Sequence, residues 1–175
     1  TDLQYEGSTF PAIVIGIEFP NNINQLSIEQ TTEDISADED FLEGENNCIM
    51  ETRFAGDLLG QDMEVGEEVS VNFNEQAQDL TVKAIGQDTD FLYVVDPQSQ
   101  MALMGQMAVV WIDLDLIQDK LFGGAPLVNQ ILYTVDERFN EDMILNAADS
   151  LTSHLSQDGI DVSSMQFTLF DETAD

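Results

Sequence analysis

Ile13, Ile15, Ile17 and Phe19 recur every second residue between Pro11 and Pro20, so residues 10–19 read as a strand with these side chains on one face. The segment 21–47 lacks such a period and carries Glu33, Asp34, Asp38, Glu39, Asp40, Glu43 and Glu45. It predicts a long acidic surface loop with Phe41 and Leu42 as anchors. Alternation then resumes. Cys48 to Ala55 sets Cys48, Met50, Thr52 and Phe54 against Ile49, Glu51 and Arg53. Glu68 to Phe73 alternates through Val69, Val71 and Phe73, and Leu80 to Ile85 sets Leu80, Val82 and Ala84 against Thr81, Lys83 and Ile85. Phe91 to Val95 is a short apolar run suited to a central strand. Gly56, Gly60, Asn74 and Gly86-Gln87-Asp88 supply the breaks, and the spacing predicts an antiparallel meander.

The second half reads differently. Asp96-Pro97 can open a short helix over Pro97 to Met104, which Gly105 would end. Met107 to Ile117 predicts a long strand with Ala108, Val110, Ile112, Leu114 and Leu116 inward and Asp113 and Asp115 outward. Gly123 to Pro126 marks a turn, and Leu127 to Val135 reads as a further strand. Ile144, Ala147, Ala148, Leu151 and Leu155 recur at helical spacing and predict a helix over 137–157, with Gly159 just past its end. Met165 to Phe170 closes the chain as a strand. From Phe91 onward the order is βαββαβ. The predicted fold is therefore α+β, a β-rich N-terminal half of antiparallel strands followed by a ferredoxin-like unit. With 175 residues the chain suits a single domain, with 1–90 and 91–170 as its natural subdivision.

Charge narrows the partners more than it narrows the fold. Thirty-five Asp and Glu face four Lys and Arg (Arg53, Lys83, Lys120 and Arg138), a formal net charge of −31. Soluble domains ordinarily stay within several units of neutrality. Self-repulsion on this scale opposes compaction in dilute salt and is relieved by screening. Direct binding to nucleic-acid phosphates and to anionic membranes needs Lys and Arg in number, so both are excluded as partners. At the same time 43% of the residues are apolar, which is enough for a core and argues against global disorder. The longest apolar run, Met107 to Ile112, is far too short to cross a bilayer. The N-terminus has no signal-peptide pattern, so the expected location is the cytoplasm or a virion assembled there.

Few residues are available for chemistry. Cys48 is the only cysteine and His154 the only histidine, so neither a disulfide nor a Cys/His zinc site can form within the chain. Cys48 reads as a buried strand residue and His154 as an exposed helix residue. Asp38 to Gly44 begins like a calcium loop but sets Leu42 where a ligand is needed and delays the glycine, so the EF-hand pattern fails. Asp113 and Asp115, two apart on a predicted strand, would share a face and are the candidate metal pair, for a divalent ion in phosphoryl transfer. The solvent face of any strand in an acidic protein looks the same. No glycine-rich phosphate loop is present, and no cofactor is predicted. Met101, Met104 and Met107 cluster around Gly105 and suit core packing or an adaptable contact.

Two functions fit this pattern. The first is a non-enzymatic structural or assembly protein, such as a virion, tail or large-complex subunit, whose acids are a salt-adapted surface and whose partners are other protein subunits, in a homo- or hetero-oligomer. The alternative is a nucleic-acid mimic or immunity protein that binds a basic protein, with Glu33, Asp34, Asp38, Glu39, Asp40, Glu43 and Glu45 as the contact surface.

Overall fold

The computed structural model describes residues 1–18, 26–31, 42, 46–56, 61–74, 76–88, 106–128 and 141–157. Backbone proximity groups the chain into two compact units, Thr1–Leu132 and Tyr133–Asp175.

The first unit is mostly sheet. Its strands are β1 (Asp2–Tyr5), β2 (Ser8–Ile17), β3 (Ser27–Thr31), β4 (Asn47–Glu51), β5 (Glu68–Phe73), β6 (Gln76–Gln87) and β7 (Ala108–Asp113), with helices α1 (Thr52–Ala55) and α2 (Leu114–Phe122). The sheet order is β3-β6-β4-β7-β2-β1-β5, and β5 pairs again with β6, so six strands close into a barrel that β3 flanks. β6 makes the closure. Its first half, from Gln76 to Thr81, pairs antiparallel with β5. Its second half pairs parallel with β4, with Thr81 opposite Asn47 and Gly86 opposite Glu51, and antiparallel with β3.

This architecture replaces the α+β, ferredoxin-like expectation. β7 does not begin a separate C-terminal unit: it lies between β2 and β4, parallel to the first and antiparallel to the second. Nor is the N-terminal half a simple antiparallel meander, because β2–β7 and β4–β6 are parallel pairs. Periodicity reports which residues share a face, not which strand lies alongside, and the crossovers of parallel pairs leave no local trace. The predicted elements Phe91–Val95, Pro97–Met104 and Met165–Phe170 lie outside the described residues. So does Leu127–Val135 beyond Val128.

Two further boundaries move. The segment 108–117 is not one strand: it ends at Asp113 and continues as α2. The alternation of Leu114 and Leu116 with aspartates imitates a strand, yet helix signals sit beside it. Asp113 caps the N-terminus, Lys120 lies in the last turn, and Gly123 ends the helix in the left-handed conformation at φ 62°. Likewise the 48–55 strand stops at Glu51 and turns into α1. Two strands are additional. β3 lies inside the expected 21–47 loop, and β1 joins β2 through a two-residue turn at Glu6-Gly7, both at positive φ.

The barrel interior holds Leu3, Tyr5, Cys48, Met50, Val69, Val71, Phe73, Leu80, Val82, Val110 and Ile112, all buried. Phe54 and Ala55 of α1 join this cluster, where the Phe54 ring meets Phe10 edge-on at 5.1 Å. Gln61 N and Met63 N donate to Phe54 O and Ala55 O at 2.7 and 2.8 Å, so the segment after α1 packs Met63 onto the same cluster.

A second cluster lies on the outside of the β2–β7–β4–β6 wall. Ile49, Ala84, Val109 and Trp111 are buried there with Leu42, and Ile13, Ile15, Ile17, Leu26 and Ile28 pack against them. The predicted isoleucine face of β2 is therefore real for Ile13, Ile15 and Ile17, and it faces this outer layer. A register shift on β6 skips Lys83, so Val82 and Ile85 point inward while Ala84 points outward. This inverts the expected pairing of Ala84 with Leu80 and Val82. Strands buried on both faces read as continuous apolar runs, as in Ala108 to Ile112, whereas β5 alternates because its outer face is wet.

Helix α2 lies close over β2 at Gly16, where an added Cβ would come within 3.0 Å of Ile117 Cδ1 and 3.2 Å of Leu114 Cα. In the second unit, α3 (Glu141–Gln157) carries Ala147, Ala148, Leu151 and Leu155 on its less exposed stripe, as the periodicity predicts. Gly16→Val is expected to force α2 off the sheet and destabilise the protein by about 1–3 kcal/mol, read as a lower urea midpoint at unchanged slope.

Candidate functional site

Asp113 and Asp115 do not form a pair on one strand face. Asp113 ends β7, and its Oδ1 accepts from Asp115 N at 2.7 Å and from Leu116 N at 3.4 Å, capping α2. Asp115 sits exposed in the first helical turn, where a carboxylate favours the positive end of the helix dipole. On this geometry the two do not share a strand face: the Asp113 carboxylate accepts from backbone amides and Asp115 stands in the first turn of the helix. Among the described residues no group of three or more His, Cys, Asp or Glu is placed to hold a metal ion. Glu33, Asp34, Asp38, Glu39, Asp40, Glu43 and Glu45 lie outside the described residues. From the same segment Leu42 is described, and it is buried against Trp111 and its neighbours as the predicted anchor.

Some of the acids that the structure places lie on the wet side of the barrel. Along β1, β5 and the first half of β6, the outward positions include Asp2 opposite Asn72, Gln4 opposite Ser70, Ser70 opposite Asp79 and Glu68 opposite Thr81. The turn at Glu6-Gly7 and these strands border an open groove of about 500 Å³, with Glu6, Glu68 and Asp79 as its carboxylates and Ser8, Thr9 and Ser70 as its hydroxyls. From the interior face of β1, Tyr5 Oη donates to Glu67 Oε2 at 2.5 Å, and Glu64 N donates to the same oxygen at 3.0 Å. Burial, then the bond to Glu67, pushes the Tyr5 phenol well above its ordinary range, so it stays a fixed donor. Such a surface attracts cations without selecting one, since its acids stand apart in water rather than converging on a point.

A second polar group, which the sequence does not single out, lies where β4 and β6 end. Glu51 is 3% exposed and Asp88 2% exposed. Glu51 Oε2 accepts from Arg53 N at 2.9 Å and Phe54 N at 3.0 Å and so caps α1. Burial raises the pKa of Glu51, opposed by those two amides and by Arg53, with Glu29 adding a smaller upward push. The signal in the sequence is a carboxylate just before a short polar-apolar turn, which is too common among 35 acids to be informative.

No family model matches the chain, and no curated protein matches its sequence. Cys48 is fully buried, and burial pushes its thiol up to about 12, as expected for a structural strand residue. His154 is exposed on α3, with Nδ1 2.7 Å from Ser150 O. No helix among the described residues is long and apolar enough to cross a membrane.

Two outcomes follow from the buried groups. In the fold, Glu51 holds its proton more tightly than in the unfolded chain, so its ionisation costs stability as pH rises past the usual carboxylate range. Glu51→Gln keeps an acceptor for the two amides, and its unfolding midpoint should exceed the parent's at pH 7 and converge with it below pH 4. Glu51→Ala loses the cap and should fall by about 1 kcal/mol at pH 7. The Cys48 thiol should react with a thiol reagent only as fast as the barrel opens, so labelling accelerates across the urea transition; prompt labelling in native buffer would contradict the burial.

Proposed function

We propose that this protein is a non-enzymatic structural or assembly component whose acidic exterior is adapted to concentrated salt. The observation that carries the reading is the distribution of exposed charge over the described elements. Asp2 on β1, Glu6 in the first turn, Glu68 on β5, Asp79 on β6, Asp115 and Asp119 on α2 and Asp149 on α3 are all exposed. The acids are spread over many elements rather than gathered around a cleft. In molar salt the repulsion among them is screened within about 3 Å, and they keep the surface hydrated. In dilute salt the same charges oppose the compact state. Among the described residues, the buried Glu51 and the half-buried Asp113 both serve as helix caps.

Thermal unfolding and sedimentation in KCl from millimolar to molar concentration test the proposal. The midpoint should rise steeply with salt, and a defined oligomer or particle should form at the high end. A monomer that is fully stable in dilute buffer and remains monomeric at every salt concentration would overturn it. Tight, salt-sensitive capture of a basic protein by that monomer would favour the nucleic-acid-mimic alternative.

A further inference from the structure

We infer that the end of α2, together with the chain that folds back after it, is the surface through which two copies of this protein associate. The inference rests on the assembly reading above and names the partner. Leu121 and Phe122 lie on the last turn of α2 and are 36% and 45% exposed, and Leu127 and Val128 are 54% and 53% exposed. They are neighbours. Gly123 ends the helix, and Gly124 N and Ala125 N donate back to Gln118 O and Phe122 O. Gln118 Nε2 then donates to Leu127 O at 3.2 Å, which lays Leu127 along the helix face that Gln118 shares with Leu121 and Phe122. Helix α2 packs on Gly16 through Leu114 and Ile117, and Leu121 continues that apolar stripe into solvent.

Charge selects the occupant. A second copy carrying −31 is repelled from most of the surface, so it can approach only where carboxylates are sparse. The segment 114–128 has two acids, Asp115 and Asp119, against Lys120, a net charge of −1. Lys120 is also the only exposed lysine or arginine among the described residues. A basic partner would be drawn instead to the acidic groove on β1, β5 and β6. Asp119 and Lys120 are consecutive exposed residues of α2 beside the stripe, so a two-fold axis can set Asp119 of each copy against Lys120 of the other, as a self-complementary interface requires. Apolar contact at the centre and screened repulsion around it make such an association stronger as salt rises.

Sedimentation velocity of the full chain, over a concentration series in dilute and in molar KCl, reads the outcome. A dimer that tightens with salt is expected. Phe122→Glu or Leu127→Glu should weaken it by about tenfold or more while leaving the unfolding midpoint unchanged, because a buried unpaired charge is costly only in the complex. Lys120→Asp should also weaken it, and adding Asp119→Lys to that variant should restore it, a rescue that simple loss of fold cannot produce. Self-association that persists at full strength in the glutamate variants would overturn this surface and leave the assembly reading standing. A parent protein that is monomeric at every salt concentration would overturn both.

Discussion

The barrel depends on one strand. β6 is long enough to pair with β5 along its first half and with β4 and β3 along its second, and without that double engagement the sheet would have open edges at β5 and β6. The register shift at Lys83 makes the two halves compatible. Before it, Leu80 and Val82 face the interior and the outer side is wet; after it, Ile85 faces the interior and Ala84 joins the buried outer layer. A single extra residue thus lets one strand serve two differently solvated walls.

That division of the wall organises the rest of the molecule. On the β2–β7–β4 side both faces are apolar, and Leu42 and Trp111 are buried outside the barrel as thoroughly as Leu3 and Val71 are inside it. On the β1–β5 side the outer positions are polar and carry carboxylates. Helices occupy the places where strands stop. Glu51 and Asp113 each end a strand and accept the free amides of the helix that follows, so two acids that could look functional are spent on backbone termini. Burying Glu51 opposes its ionisation, and the amides of Arg53 and Phe54 offset part of that cost.

The charge acts on a different scale from these local roles. Repulsion among exposed acids is long-ranged in dilute salt and negligible beyond a few ångströms in molar salt, whereas the barrel's apolar contacts strengthen under salting-out conditions. Leu121 and Phe122 at the end of α2 and Leu127 and Val128 after it are exposed apolar side chains in a segment that holds two acids and one lysine.

The sequence by itself determined the strands at 10–17, 48–51, 68–73 and 80–85, the residues that share a face in them apart from Ala84 and Ile85, the long helix ending at Gln157, the buried Cys48 and the anchoring Leu42. These are local properties, since side-chain period and turn residues follow from backbone geometry alone. Tertiary structure decided what each face meets. It placed β7 beside β2 and β4, closed the barrel through β6, and turned Leu114 and Leu116 into a helix although their alternation suits a strand. It also ended the strand at Asp113, which became a helix cap with Asp115 in the first turn that follows. The reason is physical: pairing between distant strands and the burial of a second face are set by long-range packing, and a period of two is the same whether a strand has one dry side or two.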